Sequence, residues 1–265
     1  MCIFIDIIIS LYTMDVPRKI FIVPYRNRVT HRANFLQNMN EYLKDEIGWE
    51  IYFAHQCDER PFNRGAMKNV GFLAMKKKYP NHYGDITFIF HDVDIWPIED
   101  NSIKYDTSDG VVTHYYGYTF ALGGMFAIKG KDFDKTKGFT NFWGWGLEDN
   151  IIQDRCIASG LTIDRTTFYS ITDRKNIHRE NDGSIRLISK ADASVYKHDK
   201  PDNIDDIKGL QYTIDKNMIN ISTFEVNMKI EDQDFYLRDN SKEGNKLKIP
   251  QGYKRKNWSM TKIFN

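Results

Sequence analysis

Two groups of carboxylates in this sequence have the spacing and the setting to do chemistry. In the first group, Asp92 and Asp94 directly follow the apolar stretch at residues 86–90. Alternate residues of an extended chain point the same way, so the Asp-Val-Asp triplet can hold one hard cation. A nucleotide-sugar donor needs such a cation, because cleavage of its anomeric C–O bond leaves a charged diphosphate. An acidic turn that caps a strand is the alternative interpretation.

The second group is Glu148-Asp149, which follows the Trp-Gly-Trp-Gly sequence at residues 143–146. Asp149 is predicted in the first turn of a helix, where the helix dipole favours a carboxylate. Glycines on both sides of Trp145 are typical of a loop that moves, and an indole next to carboxylates suits a sugar. A sugar hydroxyl that acts as an acceptor also needs a general base within hydrogen-bond reach. A helix cap beside two core tryptophans is the alternative.

A third group combines cations with aromatic rings. Arg26 and Arg28 come just after Pro24, at the end of a predicted strand, and Phe62 and Arg64 occur further along. A ring of this kind can stack on a nucleotide base while a guanidinium holds phosphate. Each residue alone would also fit an ordinary protein surface.

The elements that must position these groups alternate in the first half of the chain. Strands are predicted at residues 19–23, 49–54 and 86–90, and helices at 31–43 and 66–78. This order predicts an α/β fold with a mostly parallel central sheet flanked by helices and with ligands at the carboxyl ends of the strands.

The second half has a different character. We predict strands at residues 111–118 and 120–128, a Gly- and Trp-rich loop at 138–146, a helix at 148–159, and a polar, mobile segment at 171–206. Because no repeat or linker interrupts the chain, a single domain is expected.

Composition limits the class of protein. A chain of 265 residues with a net charge of +1 is expected to bind neither nucleic acid nor an anionic membrane broadly. Its three cysteines form no C-x-x-C pair, so neither a disulfide framework nor a zinc site is predicted. Residues 1–18 are predicted to be a leader or strand, since their apolar run is too short to span a membrane. We expect a cytoplasmic or otherwise soluble protein.

Taken in order, these motifs resemble the β-1,4-galactosyltransferase family, whose members have a GT-A fold and invert the sugar's anomeric centre. The resemblance runs from about residue 21 to about residue 212. Its blocks are VPYRNR (23–28), FNR (62–64), NVGF (69–72), DVD (92–94), GGMFA (123–127), KGFTN (137–141), WGWG (143–146) and ED (148–149). It implies a GT-A-like domain at residues 19–265, with a nucleotide-binding half at 19–100 and an acceptor-binding half at 101–265.

The resemblance also implies roles for individual residues. Asp149 would be the base, and Glu148, Trp145 and Asn150 would contact a glycan or glycoprotein acceptor. The residues implied to bind a UDP-sugar donor are Pro24, Arg26, Arg28, Phe62, Arg64, Asp92, Val93 and Trp145.

The implied metal site is less complete. Asp94 would be a ligand, and the family adds a Met and a His in an M-x-x-H stretch. The family's spacing from Glu148 leads to His178, but Lys175 then stands at the Met position and cannot ligate while charged. His198 imitates the local motif but would need a long insertion, so we prefer His178, and binding by neither histidine remains an alternative. Mn²⁺ is expected, and the missing sulfur leaves Mg²⁺ open.

Specificity is left open by the sequence. Ala121-Leu122 stand where the family has an aromatic pair at the donor-sugar pocket, so the sugar, like the acceptor, the linkage and the oligomeric state, is not predicted. One alternative is a glucosyl- or N-acetylhexosaminyltransferase on the same scaffold. Another is a non-catalytic glycan- or nucleotide-sugar-binding module. A metal phosphohydrolase would not explain the Trp-Gly-Trp-Gly loop.

Overall fold

The computed structural model describes residues 16–99, 102–181, 183–197 and 201–244, so most of the predicted leader lies outside the described residues. The strands are β1 (Lys19–Tyr25), β2 (Trp49–Gln56), β3 (Thr87–His91), β4 (Ile95–Pro97), β5 (Val111–Gly117), β6 (Met125–Lys129), β7 (Thr162–Asp164), β8 (Tyr169–Ser170), β9 (Ile177–Arg179), β10 (Ile185–Ser189), β11 (Lys208–Asp215), β12 (Met218–Glu225) and β13 (Phe235–Asp239). The α-helices are α1 (Val29–Tyr42), α2 (Arg64–Lys78), α3 (Gly130–Thr136), α4 (Glu148–Ala158), α5 (Lys190–Lys197) and α6 (Asn240–Glu243), with 3-10 turns at Ile204–Asp206 and Ile230–Asp232.

A nine-stranded sheet forms the centre, in the order β11-β12-β2-β1-β3-β6-β5-β7, with β8 also paired to β5. The β12-β2-β1-β3 part is parallel throughout, and β7 and β8 run parallel to β5. β6 is antiparallel to both β3 and β5. The predicted α/β class with a mostly parallel sheet is therefore confirmed.

Apolar side chains cover both faces of this sheet, which explains why β1 and β3 are buried along their whole length. One cluster includes Phe72, Phe88 and Phe133, and the other includes Phe35 and Phe53. Because β1, β2 and β3 are parallel, their carboxyl ends meet at one edge, and the Asp-Val-Asp triplet begins there.

Helix α2 is fixed to the loop that precedes the Trp-Gly-Trp-Gly sequence. Asn63 caps the helix by accepting the N–H of Ala66 at 2.9 Å. Asn69 is fully buried and bonds the 139–141 backbone and side chains through its amide group. Gly65 lies so close to this loop that an added Cβ would lie 2.0 Å from the Thr140 carbonyl oxygen. Helix α2 and the loop therefore form one rigid platform.

We expect Gly65→Ala to destabilise the fold by about 1–3 kcal/mol, since the loop backbone must move to admit the methyl group. The matched control is Gly84→Ala, because a Cβ there would meet only the Lys131 side chain, at 3.5 Å. Urea unfolding of both variants checks this prediction. Equal stabilities of the two variants would contradict it.

The strand predicted at 120–128 begins only at Met125. Residues 120–124 precede β6 as a turn, where Gly124 has a φ of +70° and a Cβ would lie 2.5 Å from the Tyr116 carbonyl oxygen. The polar segment at 171–206, predicted to be mobile, contains β9, β10, α5 and a 3-10 turn. Its short strands pair with β4 and β13, which are distant in the sequence, so local polarity hides them.

Within the described part of the chain, no helix combines the length and the apolar composition needed to cross a membrane.

Candidate active site

Arg64, the first residue of α2, lies at the centre of the predicted site. Its Nη1 donates to Glu148 Oε1 at 2.6 Å and to the two carboxylate oxygens of Asp149 at 3.1 and 2.9 Å. Its Nη2 donates to Asp92 Oδ1. One guanidinium thus joins the carboxylate at the end of β3 to the two at the start of α4, and the structure brings both predicted acidic groups together.

The start of α4 depends on a sharp turn. Gly146 and Leu147 have φ values of +99° and +73°, and Leu147 lacks the freedom of a glycine. This conformation costs a non-glycine residue about 1–2 kcal/mol, and Leu147 is held in it by packing against Phe142 and Ile151. Strained residues of this kind cluster at functional sites. Here the turn delivers two adjacent carboxylates to the first turn of the helix.

The pKa values of the two carboxylates at the start of α4 are shifted in opposite directions. Burial and the neighbouring Asp149 raise the pKa of Glu148, and Arg64 and Lys68 oppose them. Burial alone would raise the pKa of Asp149 as well, but Arg64 and Lys68 outweigh it, so that pKa is lowered. The surroundings therefore favour the ionised form of Asp149, which is the form that a general base requires.

The oxygen atoms of these two groups also differ in their partners. Glu148 Oε2 is buried, and no group in the described ranges donates a hydrogen bond to it. The backbone carbonyl of Asp149 accepts from the Leu122 N–H at 2.9 Å, which ties the residue to the turn before β6. The site therefore holds a carboxylate whose ionised form is favoured, Asp149, and a buried acceptor atom, Glu148 Oε2, that a ligand could bond.

The predicted donor-binding residues lie at the carboxyl end of β1 and before α2. The Arg26 guanidinium lies 5.4 Å from the centre of the Phe62 ring and donates to the carbonyl of Arg60. Pro24 is buried inside β1, and Arg28 immediately precedes α1. Arg26 and Phe62 are therefore in contact.

The Trp-Gly-Trp-Gly loop is hydrogen-bonded to β10 and α5, which belong to the segment predicted to be mobile. The backbone N–H of Trp145 donates to the Leu187 carbonyl at 2.7 Å, and the backbone N–H of Gly144 donates to Asp192 Oδ2 at 2.6 Å. The Arg186 guanidinium lies 5.8 Å from the centre of the Trp145 ring. Residues 185–197 thus set the position of this loop.

One predicted metal ligand, His178, lies on β9, and the other, Asp94, directly precedes the paired strand β4. β4 begins directly after Asp94 and is antiparallel to β9, with Trp96 opposite His178 and the two rings stacked at 4.3 Å. The Glu180 N–H donates to the Asp94 carbonyl at 2.8 Å. The structure therefore brings His178 beside the strand that follows Asp94. The competing His198 lies outside the described residues.

Asp94 and His178 offer one oxygen and one nitrogen, a donor set that suits Mn²⁺. Lys175, at the position of the family's Met, is exposed. Over the residues that the structure describes, no cluster of three or more His, Cys, Asp or Glu side chains has the arrangement of a metal site. These two residues fit a cation only where further ligands come from elsewhere, as they do when a metal is shared with substrate phosphates.

Two family models match the chain in succession. One, described as the N-terminal region of glycosyl transferase group 7, matches residues 15–106, and another, described as the N-terminal domain of galactosyltransferase, matches residues 111–180. The xylosylprotein 4-beta-galactosyltransferase of Caenorhabditis elegans is 30% identical over 217 residues, which cover 75% of this chain and 72% of that protein. The chain belongs to the β-1,4-galactosyltransferase family. It is a glycosyltransferase.

Other relatives of this glycosyltransferase are covered less completely. Human beta-1,4-galactosyltransferase 4 is 34% identical over 162 residues, and the match spans 56% of this chain but 45% of the human protein. The chain thus matches less than half the length of that relative.

Solved structures share the fold of the glycosyltransferase. The catalytic domain of Drosophila beta-1,4-galactosyltransferase 7 in complex with xylobiose has a TM-score of 0.61 and 22% identity, over 82% of this chain and 97% of that one. An aspartate-to-asparagine mutant of the Drosophila enzyme, in complex with manganese, UDP-Gal and xylobiose, has a TM-score of 0.57 and 20% identity. The expected GT-A-like fold is confirmed.

Sequence reasoning missed one charged residue of the site. Lys68 is buried on α2 and its Nζ donates to Asp149 Oδ1 at 3.0 Å. The available signal was its spacing from Arg64, because residues four apart lie on the same face of a helix.

His178→Ala is expected to raise the Mn²⁺ concentration needed for half-maximal UDP binding by about tenfold or more, since loss of even an outer-shell partner has that effect. His198→Ala is the matched control and should leave the Mn²⁺ titration unchanged. Calorimetric titration of UDP at graded Mn²⁺ concentrations measures both. If only His198→Ala weakens binding, the assignment of His178 is wrong.

Proposed function

We propose that this chain is a metal-dependent, inverting glycosyltransferase that moves galactose or a related hexose from a UDP-sugar to a hydroxyl of a glycan or glycoprotein. The observation that carries the proposal is the Arg64 guanidinium, which joins Asp92 on the donor side to Glu148 and Asp149 on the acceptor side. A single displacement needs these two sides next to each other, because attack and departure occur at one carbon atom.

Asp149 is the base in this mechanism. Its lowered pKa keeps it ionised at neutral pH, so it can take the proton of the acceptor hydroxyl as the oxygen attacks the anomeric carbon. Glu148 Oε2 offers a buried acceptor atom for a second hydroxyl of the same sugar. Direct attack from the face opposite the leaving diphosphate inverts the configuration, and no covalent intermediate is required.

The binding site of the UDP-sugar donor is assigned from the positions of two arginines and one aromatic ring. Phe62 would lie against the nucleotide base while Arg26 and Arg64 hold phosphate oxygens. Asp94 and His178 would hold Mn²⁺, which when bound supplies positive charge that neutralises the departing diphosphate. Trp145, at the tip of a glycine-flanked loop, would cover the sugar.

Galactose is the first sugar to test, since the family and the relatives described above are named for its transfer. Ala121 and Leu122, which are both buried, stand where the family has an aromatic pair at the donor-sugar pocket, so other sugars are tested beside galactose. For the acceptor, the nematode relative is named for a xylosylprotein and the Drosophila structures contain xylobiose. An acceptor that ends in xylose is therefore the first candidate.

The test is a panel of UDP-Gal, UDP-Glc, UDP-GalNAc and UDP-GlcNAc with Mn²⁺ or Mg²⁺, in which UDP release is measured with and without xylobiose or N-acetylglucosamine. We expect acceptor-dependent UDP release, fastest with UDP-Gal and Mn²⁺. A non-catalytic binding module would bind a UDP-sugar without acceptor-dependent release. That outcome would contradict the proposal.

A further inference from the structure

A buried lysine contacts the residue to which the proposed function gives the role of base. Lys68 is 1% exposed, and its Nζ donates to Asp149 Oδ1 at 3.0 Å while lying 4.5 Å from the centre of the Phe139 ring. Burying an ammonium is costly unless it is paired. Among the described residues, Asp149 is the one carboxylate within ion-pairing distance of Lys68. An apolar side chain would fill this position in α2 without that cost, so the charge itself calls for an explanation.

The two oxygen atoms of Asp149 have different surroundings. Oδ1 accepts from Lys68 at 3.0 Å and from Arg64 at 3.1 Å, whereas Oδ2 accepts from Arg64 at 2.9 Å. A Cβ added to Gly123 would lie 2.7 Å from Oδ2, so the absence of a side chain there keeps the space beside this oxygen open. Lys68 thus holds Oδ1, whereas Oδ2 accepts a hydrogen bond from Arg64 alone among the described residues.

Arg64 and Lys68 also differ in how many partners they serve. Arg64 is divided among three carboxylates and is a donor-binding residue in the proposed function. When Arg64 turns toward a diphosphate, Asp149 loses that partner. Lys68 lies one helical turn after Arg64 on α2. Its ammonium packs against the Phe139 ring and keeps its hydrogen bond to Asp149 Oδ1.

We propose that Lys68 is a positioning residue that holds Oδ1 of Asp149, keeps this carboxylate ionised when Arg64 engages the donor, and leaves Oδ2 as the oxygen that accepts the proton. The proposal rests on the proposed function, because it assigns a role relative to Asp149 as base.

The charges that face Asp149 determine the sign of the expected pH effect. Arg64 and Lys68 face it from α2, Glu148 precedes it on α4, and His114 faces it from β5. Burial lowers the pKa of His114 to about 4, so this histidine is neutral at neutral pH. Burial raises the pKa of Asp149, and the positive charge of Lys68 lowers it. Removal of Lys68 therefore raises this pKa. The acidic limb of the rate profile must then move to higher pH.

The test compares Lys68→Met with Lys68→Arg, and uses Lys77→Met, an exposed position on the same helix, as the matched control. We expect Lys68→Met to lower kcat by about 10- to 100-fold, to keep the KM for the donor within about twofold, and to move the acidic limb upward by about one pH unit. Lys68→Arg should restore the position of the limb, and Lys77→Met should behave as the wild type does.

A double-mutant comparison separates positioning from a general effect on folding. In an Asp149→Asn background, Lys68→Met should cause no further loss of turnover, because Lys68 acts through Asp149. An equal further loss in that background would overturn the proposal, and so would an unchanged acidic limb in an active Lys68→Met enzyme. If Lys68→Met does not fold, the same pH profile measured on Lys68→Arg decides, since a limb displaced by more than about one unit despite the retained charge would overturn it. A wild-type protein without transferase activity would refute the proposed function instead.

Discussion

Asp149→Asn is expected to retain UDP-sugar binding while its turnover falls by about 10³-fold, within the range for loss of a general base. The asparagine has the same shape, and its side-chain oxygen can still accept from Lys68, which now donates to Asp149 at 3.0 Å. It cannot take a proton from an acceptor hydroxyl at neutral pH. Binding and turnover should therefore separate, and calorimetry with UDP-Gal beside a UDP-release assay measures the two.

The matched control for this substitution is Asp154→Asn, because Asp154 is exposed on the same helix, away from Arg64. It removes one negative charge from α4 and should leave turnover unchanged. Near-normal turnover of Asp149→Asn would show that the base lies elsewhere. A parallel loss of donor binding would show that Asp149 acts mainly as a partner of Arg64.

The first half of the fold could be predicted because β1 and β3 are buried along their whole length and α1 buries one face. One difference in bounds there concerns Pro24, at which the first strand was expected to end. β1 continues to Tyr25 because its pairing with β3 stops at Ile22, so the missing N–H of Pro24 falls where only β2 is paired. A proline is thus tolerated inside β1 because the neighbouring strand β3 ends its pairing before that position.

The second half was harder because its short elements are stabilised by distant partners. The three residues of β9 acquire their structure by pairing with β4, about eighty positions earlier in the chain. The hairpin of β11 and β12, which extends the central sheet beside β2, was not predicted either. In both cases the tertiary pairing, and not the local pattern, determines the strand.

The sequence predicted the carboxylates of the candidate site but not their ion pairs with Arg64 and Lys68. The spacing of Asp92, Asp94 and Asp149 is visible in the sequence, whereas the burial of Lys68 is not, since a lysine in a helix usually faces solvent. Arg64 was assigned to the nucleotide from its residue type beside Phe62 and then from the resemblance. That three carboxylates share its guanidinium follows only from the approach of α2 to the start of α4.

Asp94→Ala is expected to weaken Mn²⁺-dependent UDP binding by about 100-fold or more, more than the loss of His178, because a carboxylate also brings the charge that attracts a cation. The residue is buried beside the β4–β9 pair. Asp94→Asn should lose nearly as much, since it keeps the shape but not the charge. Asp109→Ala, at an exposed carboxylate, is the control. Undiminished Mn²⁺-dependent binding of UDP in Asp94→Ala would refute the metal site, whereas equal losses with and without Mn²⁺ would mean that Asp94 supports the fold of the donor site instead.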